Sequence, residues 1–450
     1  MANPPNATGI IPLLIATLFL STAALAHDAP AFPLKIGPTG RYLVDQKGTP
    51  FLIAGESPQA MMVNVSEKDA ELFFANRQSH GFNTAWINLI CAKYTGGRDD
   101  GSTTDGLRPF KNGFDFSEPR EDYFARCDRI TRIAAKHGIM IMLDPAETGS
   151  FLKPMQANGV DKCREYGHWL AKRYASFDNI LWFHGNDYYD YTPANDKFVM
   201  AVALGIEEFD KRHLHTIENS DHDGGHTSLD DERWKALLGL SGAYSYGPVY
   251  VPIFRDYNRK TDRRVPTFMV ESSYEFEHLG GAQLGTPRQL RWEEYTSDLS
   301  GTTGQMYGNK YTWPFLAGWK EKLDTPGAVQ MAYVTALFEP RAWYDLVPDQ
   351  DHTLVTAGWG KFGDFSYASA GLTPDGKLAI VYIPDKRTIS VDMSKFAAPV
   401  TARWYDPANG KFQDIAGSPL ANTSAKDFAT PGNNADGEGN ADWVLVLELK

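Results

Sequence analysis

Cysteine is scarce. Cys91, Cys127 and Cys163 are the only three in 450 residues, so at most one disulfide can form and no disulfide framework holds the fold. The fold must rest on its apolar core. Basic residues are outnumbered, 44 Lys and Arg against 56 Asp and Glu, for a formal charge of −12. No Lys/Arg cluster stands out, which argues against a nucleic-acid or anionic-membrane surface. Long apolar runs are absent beyond the first residues. Residues 10–20 form one apolar stretch, too short to span a bilayer comfortably, and small residues and Ala24-Leu25-Ala26 follow it. This reads as a signal peptide over 1–26, cleaved after Ala26, which predicts a secreted or periplasmic protein with no membrane attachment after cleavage. The segment before the run has no Lys or Arg, so an uncleaved anchor is the alternative. There is no internal repeat, no low-complexity segment, no His-Glu-x-x-His helix and no nucleophile elbow, which removes the usual sequence grounds for peptide hydrolysis.

What the chain does have is apolar and aromatic mass, 42% hydrophobic and 13% aromatic. That suits one large domain plus one small one, and the aromatic content suits a carbohydrate ligand. From residue 51 short apolar strands alternate with amphipathic helical stretches. Strands are predicted over 51–55, 84–90, 139–143, 180–183, 214–217, 240–244, 267–270 and 301–307, with helices over 66–80, 121–137, 160–174, 193–210, 287–298 and 326–338. The run 139–143 is continuously apolar, as in a strand buried on both faces. Eight strands interleaved with helices make an α/β fold, a (β/α)₈ barrel over 32–344, the economical topology. After about Asp345 the pattern changes to strands at 378–383, 389–393, 402–405 and 443–449, separated by Pro, Gly, Asn and Asp turns. A small C-terminal antiparallel β-sandwich over 345–450 is predicted.

Reactive groups of such a barrel lie on the loops after its strands. The predicted rim holds Glu56, Asn88, Asp144 with Glu147, Asn186 with Asp187, Asn219 with Asp221, Tyr246, Glu271 and Tyr307. Asp187 closes the fourth strand and Glu271 the seventh, and only a closed barrel brings both to one mouth. Glycosidic cleavage needs one carboxyl protonated, to donate to the leaving oxygen, and one ionised, to attack the sugar or activate water. Asp187 is therefore read as acid/base and Glu271 as nucleophile. The alternatives are a helix cap for Asp187 and an ion pair with a rim Arg for Glu271. Substrate contacts are expected from Asn186, Glu56, Trp86, Asn88, Asp144, Asn219, Tyr246, Tyr274, Tyr307 and Trp313. Tyr246 either donates a hydrogen bond to Glu271 or simply packs at the rim. Trp182 and Phe183 read as core; Tyr188, Tyr189 and Tyr191 are placed to stack on sugar rings. Glu275 and Glu277 are expected in solvent. Asp221, His222 and His226 could hold an ion, but they lack Cys or Glu at ligand spacing, and His213 and His215 fall at the opposite end of the strand. No metal and no cofactor are expected.

The stretch from Gly301 to Asn309 with Trp313, the Glu271-Ser272-Ser273-Tyr274-Glu275 segment, the Gly185-Asn186-Asp187 turn and the 404–410 segment Trp-Tyr-Asp-Pro-Ala-Asn-Gly together resemble the apiosidase-like group, glycoside hydrolase family 140. The resemblance covers nearly the whole chain after the signal. It implies a barrel followed by a β-domain once labelled collagen-binding, with a strand-four Asp and a strand-seven Glu as catalytic pair, positions that match Asp187 and Glu271. Asn186 also resembles the Asn that holds the sugar 2-hydroxyl in retaining barrel glycosidases. The family commonly has Gly-Gly-Asp at 185–187 and Gly-Asp-Thr at 55–57, and 241–248 departs from its pattern, so the resemblance does not fix the sugar. An exported, retaining O-glycosidase acting on a pentofuranose-type (apiose-like or arabinofuranose-like) or related oligo- or polysaccharide, a pyranose glycan included, is the expectation. A catalytically inactive carbohydrate- or matrix-binding protein is the alternative.

Overall fold

The computed structural model describes residues 29–449 except Asp190, 221–224 and Gly280. The predicted signal segment lies outside the described residues. Eight strands line the barrel: β1 (Ile53–Glu56), β2 (Thr84–Asn88), β3 (Met140–Asp144), β4 (Ile180–Tyr188), β5 (His215–Asn219), β6 (Ser241–Tyr244), β7 (Thr267–Glu271) and β8 (Gly304–Asn309). Parallel ladders run β5-β4-β3-β2-β1-β8-β7-β6, and the short strand His226–Thr227 pairs antiparallel with β6. Among the described residues no ladder joins β5 to β6. Ser228 bridges that seam instead: its hydroxyl donates to the Ile217 carbonyl (2.5 Å) and accepts the Gly242 N–H (2.7 Å).

Around the strands lie α1 (Glu67–Ser79), α2 (Glu121–Lys136), α3 (Thr148–Tyr174), α4 (Pro193–Phe209), α5 (Tyr250–Tyr257), α6 (Pro287–Asp298) and α7 (Pro326–Phe338). Ser66 caps α1 by accepting the Asp69 N–H, as the Ser-x-x-Asp spacing predicts. Pro193, Pro287 and Pro326 each stand in a first helical turn, where a missing N–H costs nothing. Two helices differ from the sequence expectation. α3 starts at Thr148 rather than 160 and passes through a non-helical Gly159 (φ 78°), so the earlier half was hidden by that break and by Pro154. α5 was not expected, since Pro252 and its eight-residue length obscure it.

The barrel interior is filled by Ile53, Trp86, Met140, Met142, Leu181, Phe183, Phe268, Val270 and Met306, and a second layer between strands and helices holds Ile87, Ile141, Leu143, Trp182 and Ile217. Cys91, Cys127 and Cys163 are free and buried in that layer. Burial pushes the thiols of Cys127 and Cys163 up to about 12, so they behave as small apolar groups.

The C-terminal region pairs a six-stranded sheet, in which Leu378–Ile383, Trp443–Glu448 and Thr401–Asp406 are central, with a three-stranded sheet of Val355–Ala357, Thr388–Asp392 and Ala425–Ala429. One face of the larger sheet closes the sandwich core. The other, through Ile380, Tyr382, Tyr405, Val444 and Val446, packs on Trp292, Tyr295, Val334 and Phe338 of α6 and α7. Arg291 on α6 reaches Asp442 with both its Nε and Nη2 (2.8 Å each) and Asp436 at 3.0 Å, in a buried pair that joins the two regions. The stretch 432–441 is therefore more than a polar loop. A second departure concerns charge: Arg41, Lys235, Arg259, Arg263 and Arg264 gather around a cavity of about 450 Å³ with Asp256 and Asp262, so a basic group does exist on this acidic chain.

Candidate active site

Asp187 reaches the barrel mouth through an irregularity in its own strand. Three successive residues, Gly185 (φ 108°), Asn186 (φ 65°) and Asp187 (φ 50°), are left-handed, and the ladder to β5 breaks between His184 and Tyr188. A Cβ on Gly185 would lie 2.2 Å from the Glu218 carbonyl oxygen, so only glycine fits there. The cost of two non-glycine left-handed residues is of order 1–3 kcal/mol each and persists only where the surroundings impose it. Here they do. The Asp187 N–H donates to Glu218 Oε2 (2.7 Å), Asn186 Oδ1 accepts from Asn88 Nδ2 (2.8 Å), and the Thr148 hydroxyl donates to the Asn186 carbonyl (3.1 Å).

Glu271 is set by a second irregularity. In the β6–β7 ladder Ala243 pairs with Met269 but Tyr244 pairs with Glu271, so Val270 is an extra residue. The shift lays Tyr244 and Glu271 side by side. The Tyr244 hydroxyl donates to Asp187 Oδ1 (3.0 Å) and also lies against Glu271. One hydroxyl thus faces both carboxyls. Tyr94 donates to Asp187 Oδ2 (2.8 Å), Tyr274 to Glu271 Oε2 (3.0 Å) and Tyr246 to Glu271 Oε1 (3.3 Å). Gln59 anchors Tyr274 from behind (3.2 Å), and its ring lies so close over Gly308 that a Cβ there would sit 2.2 Å away.

A third carboxyl completes the group. Glu218 on β5 is 0% exposed and meets Glu271 and Asp187. Among the described residues no ion pair reaches any of the three. Burial first, then their mutual repulsion, raises Glu218 and Glu271 well above the usual carboxylate range, and burial raises Asp187. Three such groups cannot all be ionised together. Half-buried Glu277, which accepts the Tyr274 N–H (3.2 Å), adds a fourth negative group nearby and is itself raised by burial.

Several expected residues fall into place around this centre, and others do not. Asn88, Asn186, Tyr246 and Tyr274 touch it or its partners. Trp86 is fully buried one layer below, tilted 35° against Phe183 (ring centroids 4.5 Å apart) with its indole N–H on Asn88 (3.2 Å), so it supports the floor rather than facing a ligand. Asp144 and Asn219 are buried at strand ends; Asp144 Oδ2 and both polar atoms of the Asn219 side chain meet no hydrogen-bond partner among the described residues. Trp313 is half-buried beyond β8. Glu56 differs from expectation: its carboxylate is taken up by the Arg77 guanidinium and the Thr312 hydroxyl in a buried cluster. Tyr307 likewise spends its hydroxyl on Glu275, which also accepts from Thr325 and the Gly327 N–H; Glu275 is buried, not solvated. Glu147 caps α3 through the Ser150 N–H. Asp221 and His222 lie outside the described residues, and among the described ones no three metal-ligating side chains converge.

Sequence reasoning missed Glu218, Tyr244 and Tyr94. Alternation along β5 could have found the first, because Ile217 packs outward and Thr216 and Glu218 therefore share the inner face.

Facing carboxyls at the ends of the fourth and seventh strands of a parallel barrel define the class of site that glycoside hydrolases carry. A family model described as "Apiosidase-like, catalytic domain" matches residues 38–345, and one described as "Putative collagen-binding domain of a collagenase" matches 347–448. The chain belongs to the apiosidase-like family and is a glycoside hydrolase. Similar solved structures include one described as a glycoside hydrolase, with 22% identity over 93% of this chain and 97% of its own and a TM-score of 0.80. Another is a glycoside hydrolase family 5 protein from Bacteroides vulgatus ATCC 8482, with 20% identity, coverage of 92% and 93% and a TM-score of 0.78. At these identities they share the fold. No curated protein matches the chain.

Proposed function

We propose that this protein is an exported, retaining O-glycosidase whose acid/base is Asp187 and whose nucleophile is Glu271, acting on a pentofuranose glycan of apiose-like or arabinofuranose-like type. The observation that carries the reading is the single Tyr244 hydroxyl lying against both carboxyls. Two carboxyls that face one hydroxyl suit direct attack by one of them, whereas an inverting pair must leave room for a water between them.

In the first step the Asp187 carboxyl gives its proton to the leaving glycosidic oxygen while a Glu271 oxygen bonds to the anomeric carbon. In the second, Asp187, now ionised, takes a proton from water; that water attacks the anomeric carbon and Glu271 leaves as carboxylate. Tyr274 and Tyr246 donate to Glu271 and favour its ionised form, while burial raises Asp187 and so favours the protonated form that the first step needs. Export is supported by the apolar run at 10–20 and the Ala24-Leu25-Ala26 site. The family match supports the sugar class.

The test is sugar release from apiose-, arabinofuranose- and pyranose-containing glycans and aryl glycosides. Glu271→Gln is expected to lower kcat by about 10⁴-fold or more with its thermal unfolding unchanged. Proton NMR of the first-formed product should show the substrate's own anomeric configuration. Inverted product would overturn retention, and unaltered turnover in Glu271→Gln would overturn the pair.

A further inference from the structure

The glycosidase reading uses two carboxyls, yet the barrel mouth holds three. Glu218 is the most deeply placed of them and the least served by donors. Asp187 accepts from two tyrosine hydroxyls, and Glu271 has tyrosine hydroxyls on both oxygens. Glu218 Oε2 accepts one backbone N–H, that of Asp187, and Oε1 meets no donor although it is fully buried. Its carboxyl lies within hydrogen-bond reach of Glu271. Two ionised carboxylates present only acceptors to each other, so such a contact is repulsive unless one oxygen carries a proton.

We propose that Glu218 is a positioning residue, held as the neutral acid, which donates a hydrogen bond to Glu271 from one oxygen while its other oxygen accepts the Asp187 backbone N–H. The inference rests on the glycosidase reading for its consequence in catalysis, but its proton assignment stands on the full burial of Glu218, its single donor and its unpartnered Oε1. The proton belongs on Glu218 because it has the fewest donors and no exposure; ionising it would place an uncompensated charge beside Glu271. One residue on β5 thereby fixes both reacting groups, the nucleophile through its side chain and the acid through its backbone. The groups that face it are Asp187 on β4, Tyr244 on β6 and Glu271 on β7, with Tyr94, Tyr246, Tyr274 and Glu277 around them. The trio then carries one negative charge in the active form, on Glu271.

Glu218→Gln separates this from the alternatives, because an amide offers both a donor and an acceptor yet never ionises. The expected result is a kcat within about tenfold of wild type for Glu218→Gln and a loss of about 10²–10³-fold for Glu218→Ala, at unchanged thermal unfolding. The acid limb of kcat/KM, set by Glu271, should stay in place in Glu218→Gln, since a neutral group replaces a neutral group. Were Glu218 ionised, its removal as a charge would lower that limb by about one pH unit or more, which would overturn the proposal. So would a Glu218→Gln variant as inactive as Glu271→Gln, or a Glu218→Ala variant as active as wild type. Difference infrared spectroscopy at neutral pH reads the proton without turnover: a neutral-carboxyl C=O band present in wild type should be missing in Glu218→Gln. If no glycan is cleaved but that band is lost, the glycosidase reading fails and the proton assignment stands; if no band is lost, the assignment fails.

Discussion

At the scale of single residues, the site is an arrangement of tyrosine hydroxyls around buried carboxyls, with no cation paired to the three among the described residues. That choice has a consequence. A carboxylate held by Arg is pinned ionised over the whole working range, whereas one held by tyrosines keeps a proton affinity that burial and a neighbouring carboxyl can move. Tyr244 touches both reacting groups, so Tyr244→Phe should lower kcat/KM by about 10–100-fold. It should also move the basic limb of the pH profile upward, because a donor that favours ionised Asp187 is lost; the pH dependence of kcat/KM checks both. A profile whose basic limb stays in place would show that the hydroxyl does not support the Asp187 charge.

At the scale of elements, the two reacting side chains are placed by breaks in regular structure. Strict alternation would turn Glu271 away from Val270, which lies in the barrel interior, and the extra residue opposite β6 reverses that. The left-handed run in β4 does the same for Asp187 and depends on Gly185. Gly185→Ala should therefore abolish activity and cost about 3 kcal/mol or more, since its methyl would overlap the β5 backbone at Glu218; a urea titration measures it. By comparison, strands and helices themselves were largely legible, because periodicity and caps are local. The same local signals read β4 as ending at Phe183 and β5 at Ile217, which hid Glu218. Glu56 and Tyr307 were named for their positions at strand ends, and only packing showed Arg77 and Glu275 occupying them.

For the whole molecule, the barrel and the sandwich act as one packed body across Arg291 and Asp442. Asp442→Asn leaves the buried Arg291 guanidinium with Asp436 as its remaining charge partner and should cost about 3 kcal/mol, read as a lowered denaturant midpoint. Stability should also depend on pH with a definite sign. Burial raises Glu147, Glu293 and Asp298 to about 7. The folded state thus binds these protons more tightly than the unfolded chain, and their contribution is present below pH of about 4 and lost as pH rises to about 7. Asp210 is opposite: burial disfavours its charge, but bonds from His213 and Trp182 outweigh that and hold it at about 2, so its contribution is lost only in stronger acid. Melting temperature is expected to peak near pH of about 5 and to fall toward 8, and Glu293→Gln with Asp298→Asn should flatten that fall. A melting curve series rising from pH 5 to 8 would contradict the sign.

From the amino-acid order alone came the alternation of strands and helices, the change of character near Asp345, and the choice of Asp187 and Glu271 as the pair to watch. Each rests on short-range information: spacing of apolar residues, turn formers and an acid ending an apolar run. Tertiary structure decided which strand-end groups share a centre, which are consumed by ion pairs, and that a third carboxyl on β5 meets both reacting groups. Those outcomes depend on register shifts and on contacts between residues far apart in the chain. Such contacts are fixed when the barrel closes, and no local pattern encodes them.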